Sequence, residues 1–437
     1  MEERDFDIIV IGSGCAGSIA AYVAAKRGRS VLVVERGEYA GAKNMTGGRI
    51  YAHSLRKVLE EHADGEVEWD DIPFERKISH ERIAMMGAAS SFAVDFTSAR
   101  LTEPGNDSYS VLCAPFDQWL AGLAEGAGAE YICGIAVEEL LKDEKGAIIG
   151  IRAGDDEITA QVVIDAEGVN SLLAERCLGA PRPKSNEMAV GIKEVFELSA
   201  SQIEDRFLCP AGEGAAMLFV GDCTHGSIGG GFLYTNKESV SLGLVATIEE
   251  LSRSDTTIYQ ALADFEKHPA VAPVIRGAKM VEHSGHMVSE GGYDMVPQYV
   301  YDGCLLAGDA AMLCMNLGYQ VRGMDFAVAS GHFAADAACD AIEAGDVSAT
   351  GLASYRSRIE QSFVMKDLEC FRRWPATMEG WSNMFADYPE MVAEVMEAMF
   401  VVDGQPQSHL KDRLKPIIKK RGAFKLLGEV KGALKAL

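Results

Sequence analysis

The chain has ten cysteines but no Cys-x-x-Cys pair, which removes the usual ligand spacing of zinc ribbons and ferredoxin-type clusters. Isolated thiols scattered through a sequence point to a reducing compartment. Positive charge is also scarce: 41 Lys and Arg face 65 Asp and Glu, for a net charge of −24. That balance argues against nucleic acid as a partner. No apolar run reaches bilayer-spanning length, and the first strand begins so close to Met1 that a signal peptide has no room. The expected location is therefore cytoplasmic, at most peripheral on a membrane surface. Internal repeats and low-complexity linkers are missing too. What remains is 437 residues with 48% apolar content, enough for a large core in two or three domains.

The strongest positive feature lies between residues 5 and 37. An apolar strand, Ile8 to Ile11, runs into Gly12, Gly14 and Gly17, then an Ala-rich helix to Lys26, then a second apolar strand closed by Glu35 and Arg36. Gly12 permits a tight turn, Gly14 lets backbone approach a pyrophosphate, and Gly17 lets the helix pack closely on the strand. The diphosphate then sits at the positive helix N-terminus, and Glu35 is placed to accept hydrogen bonds from an adenosine ribose. Cys15 and Ala16 fill the turn between these glycines, Cys15 as a small space-filler.

Far downstream, Asp302-Gly303-Cys304-Leu305-Leu306-Ala307-Gly308-Asp309 reads as a turn and a short buried strand ending in Gly-Asp. Ligands of parallel sheets bind at such strand ends. A second anchor this remote suits FAD, which is longer than a simple nucleotide. Here the chain resembles the large FAD-dependent family whose ribityl chain is held by a Gly-Asp element. The expected cofactor is non-covalent FAD; no metal is expected, and no side-chain acid or base is assigned, because the flavin carries the redox chemistry.

Between the anchors, residues 41–48 lack periodicity and end in adjacent glycines, Gly47 and Gly48, where backbone must approach something closely. Residues 78–96 read as strands, 116–128 as a helix, 162–165 as a buried strand, and 189–245 as antiparallel sheet containing Gly230, Gly231, Phe232 and Tyr234. A long Ala-rich helix follows Gly323 to about Ala344, and the rest is mostly helical. The expected FAD-binding domain is discontinuous (1–75, 110–185 and 285–345), and an antiparallel-sheet substrate domain occupies 76–109 and 186–284. Residues 346–437 form a helical C-terminal region. Its last part, 411–437, carries nine Lys and Arg against one Asp and one Glu; with apolar residues at roughly helical spacing, it suits an anionic lipid surface, an acidic partner or the chain's own acidic body.

Several segments together carry a more specific resemblance: Ala42-Lys43-Asn44-Met45-Thr46-Gly47-Gly48, Phe116-Asp117-Gln118-Trp119-Leu120, Asp165-Ala166-Glu167-Gly168, Glu290-Gly291-Gly292-Tyr293, Val321-Arg322-Gly323-Met324-Asp325 and Asp387-Tyr388-Pro389-Glu390. Along essentially its whole length the chain resembles the electron-transfer-flavoprotein:quinone oxidoreductases, most closely their short, FixC-like members. The resemblance implies an α/β fold with a Rossmann-like FAD domain and an inserted sheet domain. It also implies electrons arriving from the subunits of an electron-transfer flavoprotein through a separate ferredoxin-like iron-sulfur protein and leaving to a quinone. Carried onto this sequence, it adds Lys43, Asn44, Gly47, Gly48, Asp165, Gly168, Gly318, Arg322, Gly323 and Met324 to the cofactor contacts. Gly230, Gly231, Phe232 and Tyr234 match the strand lining the quinone pocket. Lys43 and Arg322 would supply positive charge, and the helix after Gly323 would aim its N-terminus at a reduced flavin. Two positions depart from the pattern: Cys113 stands where relatives often have arginine, and Ser289 where they commonly have proline. Competing readings are a flavin-dependent reductase of the geranylgeranyl type, an aromatic hydroxylase, and an FAD-binding assembly subunit of an electron-transfer complex.

Overall fold

The computed structural model describes residues 4–44 and 48–437. Two large sheets organise it. In the first, the strand Phe6–Ile11 lies between Val31–Glu35 and Asp156–Asp165, all parallel. Parallel Glu130–Cys133 extends one side, and parallel Cys304–Leu306 with antiparallel Val300–Tyr301 extends the other. At residues 8–11, 31–34, 162–164 and 304–306 these strands are apolar and buried on both faces, as covered parallel strands must be, whereas the edge strand Glu130–Cys133 is largely exposed. One face is closed by the helix Cys15–Lys26, on which the long helix Met324–Ala344 packs. Their approach depends on a glycine: a Cβ at Gly331 would lie 2.2 Å from the Ala16 carbonyl oxygen.

The second sheet has nine strands. Lys279–Ser289, Met188–Glu197, Ser239–Thr247, Gly229–Thr235 and Glu213–Gly221 run antiparallel in that order. Next comes Lys77–Met86, which also pairs with the hairpin partner Ser91–Thr97 and, at Lys77, with Ser108–Val111. Gly48–Tyr51 completes the far edge. The sheet expected to be antiparallel is thus mixed: Glu213–Gly221 pairs with Lys77–Met86 in parallel. The physical reason is the intervening excursion through the first sheet, which supplies the long crossover a parallel pair needs. Likewise Gly48–Tyr51, from the segment read with the nucleotide unit, joins this second sheet. One face packs Ile192, Met217, Leu233, Leu242 and Leu244 against Phe265 of the helix Ile258–Lys267.

A short helix, Ala200–Phe207, interrupts the stretch read as continuous sheet. Its signal was local: Ser199 and Gln202 form a reciprocal capping box. The basic segment forms two helices, Leu410–Arg421 and Ala423–Ala436. It is not a free arm. The Arg421 guanidinium is bound by Glu394 and Asp387, and Lys420 donates to Glu394. No helix among the described residues is long and apolar enough to cross a membrane.

Candidate active site

The sheets meet at a cleft of about 1380 Å³, larger than the usual volume of a small-molecule pocket. Its first half is the glycine turn. Gly12 has φ of +90°, and a Cβ there would lie 2.4 Å from the Ala166 carbonyl oxygen; one at Gly17 would lie 1.9 Å from the Gly12 carbonyl oxygen. Both glycines are thus explained by the protein's own packing. Gly14 is different. Its added Cβ would meet nothing closer than the Asn44 amide at 3.5 Å, yet it lines the cleft at the start of the helix Cys15–Lys26. Backbone left bare toward a cavity at a helix N-terminus is what a diphosphate requires. Glu35 is buried, and its Oε2 accepts from the Ser13 backbone N–H at 2.9 Å and the Ser13 hydroxyl at 2.8 Å, while Oε1 accepts from the Gly37 N–H at 2.6 Å. It therefore fixes the turn as well as facing the cleft. Asp309 faces the cleft from the Cys304–Leu306 strand end, its carboxyl raised by burial. These features fit an FAD: a glycine cradle at one end, an acid at the other, and space between.

Most of the remaining expected contacts line the same cleft: Cys15, Ala16, Arg36, Lys43, Asn44, Gly48, Gly168, Gly318, Gly323 and Met324. Gly323 caps the long helix, so its N-terminus opens on the cavity as the sequence suggested. Gly17, Asp165, Gly308 and Arg322 stand behind the wall, and Gly47 lies outside the described residues. Asp165 is fully buried and accepts from the Glu167 N–H at 3.1 Å. Arg322 does not line the cleft, although its neighbours Val321 and Gly323 do. Its guanidinium donates to Asp325 at 2.5 Å and Asp367 at 2.6 Å and lies over Phe326 and Phe363. It clamps the first turn of the long helix, and its charge is already matched by two carboxylates.

The second half of the cleft is one face of the nine-stranded sheet. Gly230, Gly231, Phe232 and Tyr234 line it together with Leu218, Val245 and Ile83. Phe232 and Tyr234 stack at 5.5 Å. Gly243 lets the Phe232 ring lie across the neighbouring strand, since a Cβ there would be 2.4 Å from Phe232 Cζ. Trp374, Trp381 and Phe385 close the cleft from the C-terminal helices. The Asp-Tyr-Pro-Glu segment docks these helices on the sheet: Glu390 accepts from the Ala88 N–H at 2.8 Å, and Gly221 leaves room for the Pro389 ring.

Three polar groups escaped the sequence reading. Arg49 lines the cleft and is held by Glu81 and by the Ser108 hydroxyl at 2.9 Å. Asp117 is buried beside Asn44 and the Cys15 thiol; burial pushes its carboxyl up to about 7, against the hydrogen bonds from both neighbours. Burial also raises the Cys15 thiol well above its usual value, which suits a space-filler rather than a nucleophile. Glu290 faces the cleft, and burial raises its carboxyl to about 7 despite the Asn316 amide at 3.2 Å. Glu290 and Asp117 belonged to quoted motifs, yet their burial depends on distant elements and could not be read locally. Arg49 carried no signal, since its partner comes from another strand.

Comparison with known proteins agrees with this geometry. Residues 7–176 match the family described as FAD dependent oxidoreductase, and residues 374–437 match the ETF-QO/FixC family C-terminal domain. The chain is 45% identical over 434 residues to an Escherichia coli (strain K12) protein named "Probable electron transfer flavoprotein-quinone oxidoreductase YdiS", covering 99% of each chain. It is 45% identical to protein FixC of the same strain, covering 98% of each, and 36% identical to FixC of Bradyrhizobium diazoefficiens, again covering 98% of each. Among solved structures, a geranylgeranyl bacteriochlorophyll reductase-like protein of Thermoplasma acidophilum superposes with a TM-score of 0.69 at 20% identity, covering 99% of each chain.

Proposed function

Because this chain belongs to the ETF-QO/FixC family of FAD-dependent oxidoreductases, we propose that it takes electrons from an electron-transfer flavoprotein through a separate ferredoxin-like partner and passes them to a quinone. The observation that carries this reading is the continuity of the cleft. It runs from the glycine turn to an apolar, aromatic sheet face and on to Ile83, which opposes Val94 on the edge strand Ser91–Thr97. Phe92, Val94 and Phe96 share that face and are 38%, 58% and 55% exposed, and Ile83 is 43% exposed. An apolar rim beside an apolar pocket suits an acceptor that enters from lipid. We assign the membrane contact to this rim in preference to the basic tail, whose Arg421 is committed to Glu394 and Asp387.

In this reading the turn residues Gly12 and Gly14 and the helix start would hold the FAD diphosphate, Asp309 would hold the ribityl chain, and Gly48, Gly318 and Gly323 would leave room for the isoalloxazine. FAD supplies the one- and two-electron chemistry. Phe232 and Tyr234 would offer the acceptor ring an aromatic surface, and the C-terminal aromatics would exclude water. Stopped-flow reduction of the bound flavin tests the assignment. A reduced electron-transfer flavoprotein with its ferredoxin should bleach the flavin rapidly, NADH and NADPH poorly, and a quinone should restore the oxidised spectrum. Fast bleaching by NADPH alone would replace this reading with a reductase of organic substrates.

A further inference from the structure

Away from the cleft, the last turn of the helix His53–His62 meets the long helix Met324–Ala344 through an unusual polar contact. His62 Nε2 and His332 Nε2 lie 3.1 Å apart. His332 Nε2 is also 3.3 Å from Glu61 Oε2 and 3.5 Å from Asp336 Oδ2. His332 is buried at 3% exposure, whereas Glu61 is open to solvent. The arrangement has too many acceptors. If His332 Nε2 carries a proton, that one N–H faces an imidazole nitrogen and two carboxylate oxygens. Asp336 finds other donors in Arg27 at 3.3 Å and Arg358 at 3.1 Å. For Glu61, Lys57 stands 3.8 Å away as a loose ion pair. That leaves His62, His332 and Glu61 as three electron-rich ligand atoms within 4.8 Å of one another.

The geometry points to a divalent transition-metal site formed by Glu61, His62 and His332, bridging the two helices. Two imidazole nitrogens and one carboxylate oxygen are a borderline ligand set that favours Zn²⁺, Ni²⁺ or Co²⁺ over Ca²⁺ or Mg²⁺. With metal–nitrogen bonds of about 2.0–2.1 Å, a nitrogen separation of 3.1 Å gives an angle at the metal of about 100°, close to tetrahedral. Solvent would complete the coordination on the exposed Glu61 side. Asp336, held by Arg27 and Arg358, stays outside as a partner that fixes the helix face. None of the three ligands lines the cleft, so the metal would be a clip: it ties the helix His53–His62 to the helix whose first turn borders the cofactor.

The test uses the FAD-loaded full-length protein stripped with chelator and titrated with Zn²⁺ by calorimetry, with thermal unfolding in parallel. One strong site per chain and a rise in melting temperature are expected. Glu61→Gln, at an exposed position that leaves the fold alone, should weaken binding at least tenfold. His62→Gln should weaken it further and remove the thermal shift, while flavin content stays as in the parent. Absence of a one-to-one site overturns the proposal and leaves a His62–His332 hydrogen bond. Equal Zn²⁺ affinity in both variants overturns it as well, by placing the bound metal elsewhere on the acidic surface.

Discussion

The two halves of the cleft are built on different principles. In the nucleotide half, one tight contact is local: Gly12 and Gly17 lie five residues apart in sequence, and the carbonyl oxygen of one occupies the space a Cβ on the other would need, while Gly12 also closes on Ala166 and Gly331 on Ala16 from far along the chain. In the sheet half, neighbours come from far along the chain. Ile83 meets Leu218, Leu218 meets Phe232, and Phe232 meets Gly243, each through strand register. A nucleotide turn common to many proteins is thus encoded largely in a short motif, whereas the sheet face proposed to take the acceptor is encoded in pairing. The first half tolerates almost no change at Gly12 or Gly17. The second should tolerate apolar exchange while its specificity shifts.

The largest effect that would sharpen this contrast is at Gly17. Gly17→Val places a branched side chain where even the first carbon would sit 1.9 Å from the Gly12 carbonyl oxygen. The strand and helix must separate, and the expected product is insoluble or flavin-free, read from flavin absorbance per chain after purification. A volume-conserving change in the sheet half, Leu218→Met, should by contrast leave flavin content untouched, since such apolar exchanges usually cost under about 1.5 kcal/mol. If both variants retain FAD equally, the proposed division of labour fails.

Asp309→Ala comes next. In the proposed binding mode it would remove hydrogen bonds from ribityl hydroxyls to a carboxylate, worth roughly 1.5–3 kcal/mol each. That predicts a loss of FAD affinity of about ten- to a hundredfold, measured by release of flavin on dilution. The variant should remain folded and should recover at high FAD concentration. Unchanged affinity would remove Asp309 from the site.

Glu290 gives a pH effect that is read on stability and not on flavin content. Its folded carboxyl is raised to about 7 by burial, so folding favours the protonated form. The sign follows from linkage: the contribution is fully present below the unfolded value of about 4.3 and is lost as pH rises through about 7. Stability of the FAD-free protein should therefore fall across that window, and Glu290→Gln should flatten the fall. Chemical denaturation at several pH values measures it; an unchanged slope would mean the carboxylate is ionised in place.

Legibility follows the same line as the comparison. Four of the five parallel strands, the fingerprint helix and the long helix were readable because their periodicity and end signals are local: Cys15–Lys26 begins inside the glycine motif, and Met324–Ala344 follows Gly323, whereas the exposed edge strand Glu130–Cys133 gave no such signal. The parallel pairing of Glu213–Gly221 with Lys77–Met86 was hidden, because nothing local records which strand a strand will join. Arg322 shows the same limit for side chains. Its motif placed it near the flavin, but Asp367, 45 residues on, helps decide where the guanidinium points. The exposed rim was invisible for a related reason. Phe92, Val94 and Phe96 alternate as an ordinary half-buried strand would, and only the edge position of Ser91–Thr97 leaves that face open.

That rim supplies the weakest and most discriminating prediction. Val94→Ser with Phe96→Ser removes apolar surface from side chains already more than half exposed, so the folded core loses little. Burying a full apolar side chain is worth about 1.5–3 kcal/mol, and partial insertion of two such groups into lipid corresponds to roughly a tenfold change in vesicle binding. Truncation after residue 409 instead removes the basic helices, whose attraction for anionic lipid is screened by salt. The two mechanisms separate cleanly: the rim variant should lose binding to neutral and anionic vesicles alike and slow turnover with long-tailed quinones, while reduction of a short soluble quinone persists. If the rim variant binds vesicles as the parent does and truncation abolishes anionic binding, the tail is the membrane contact and the rim faces a protein partner instead.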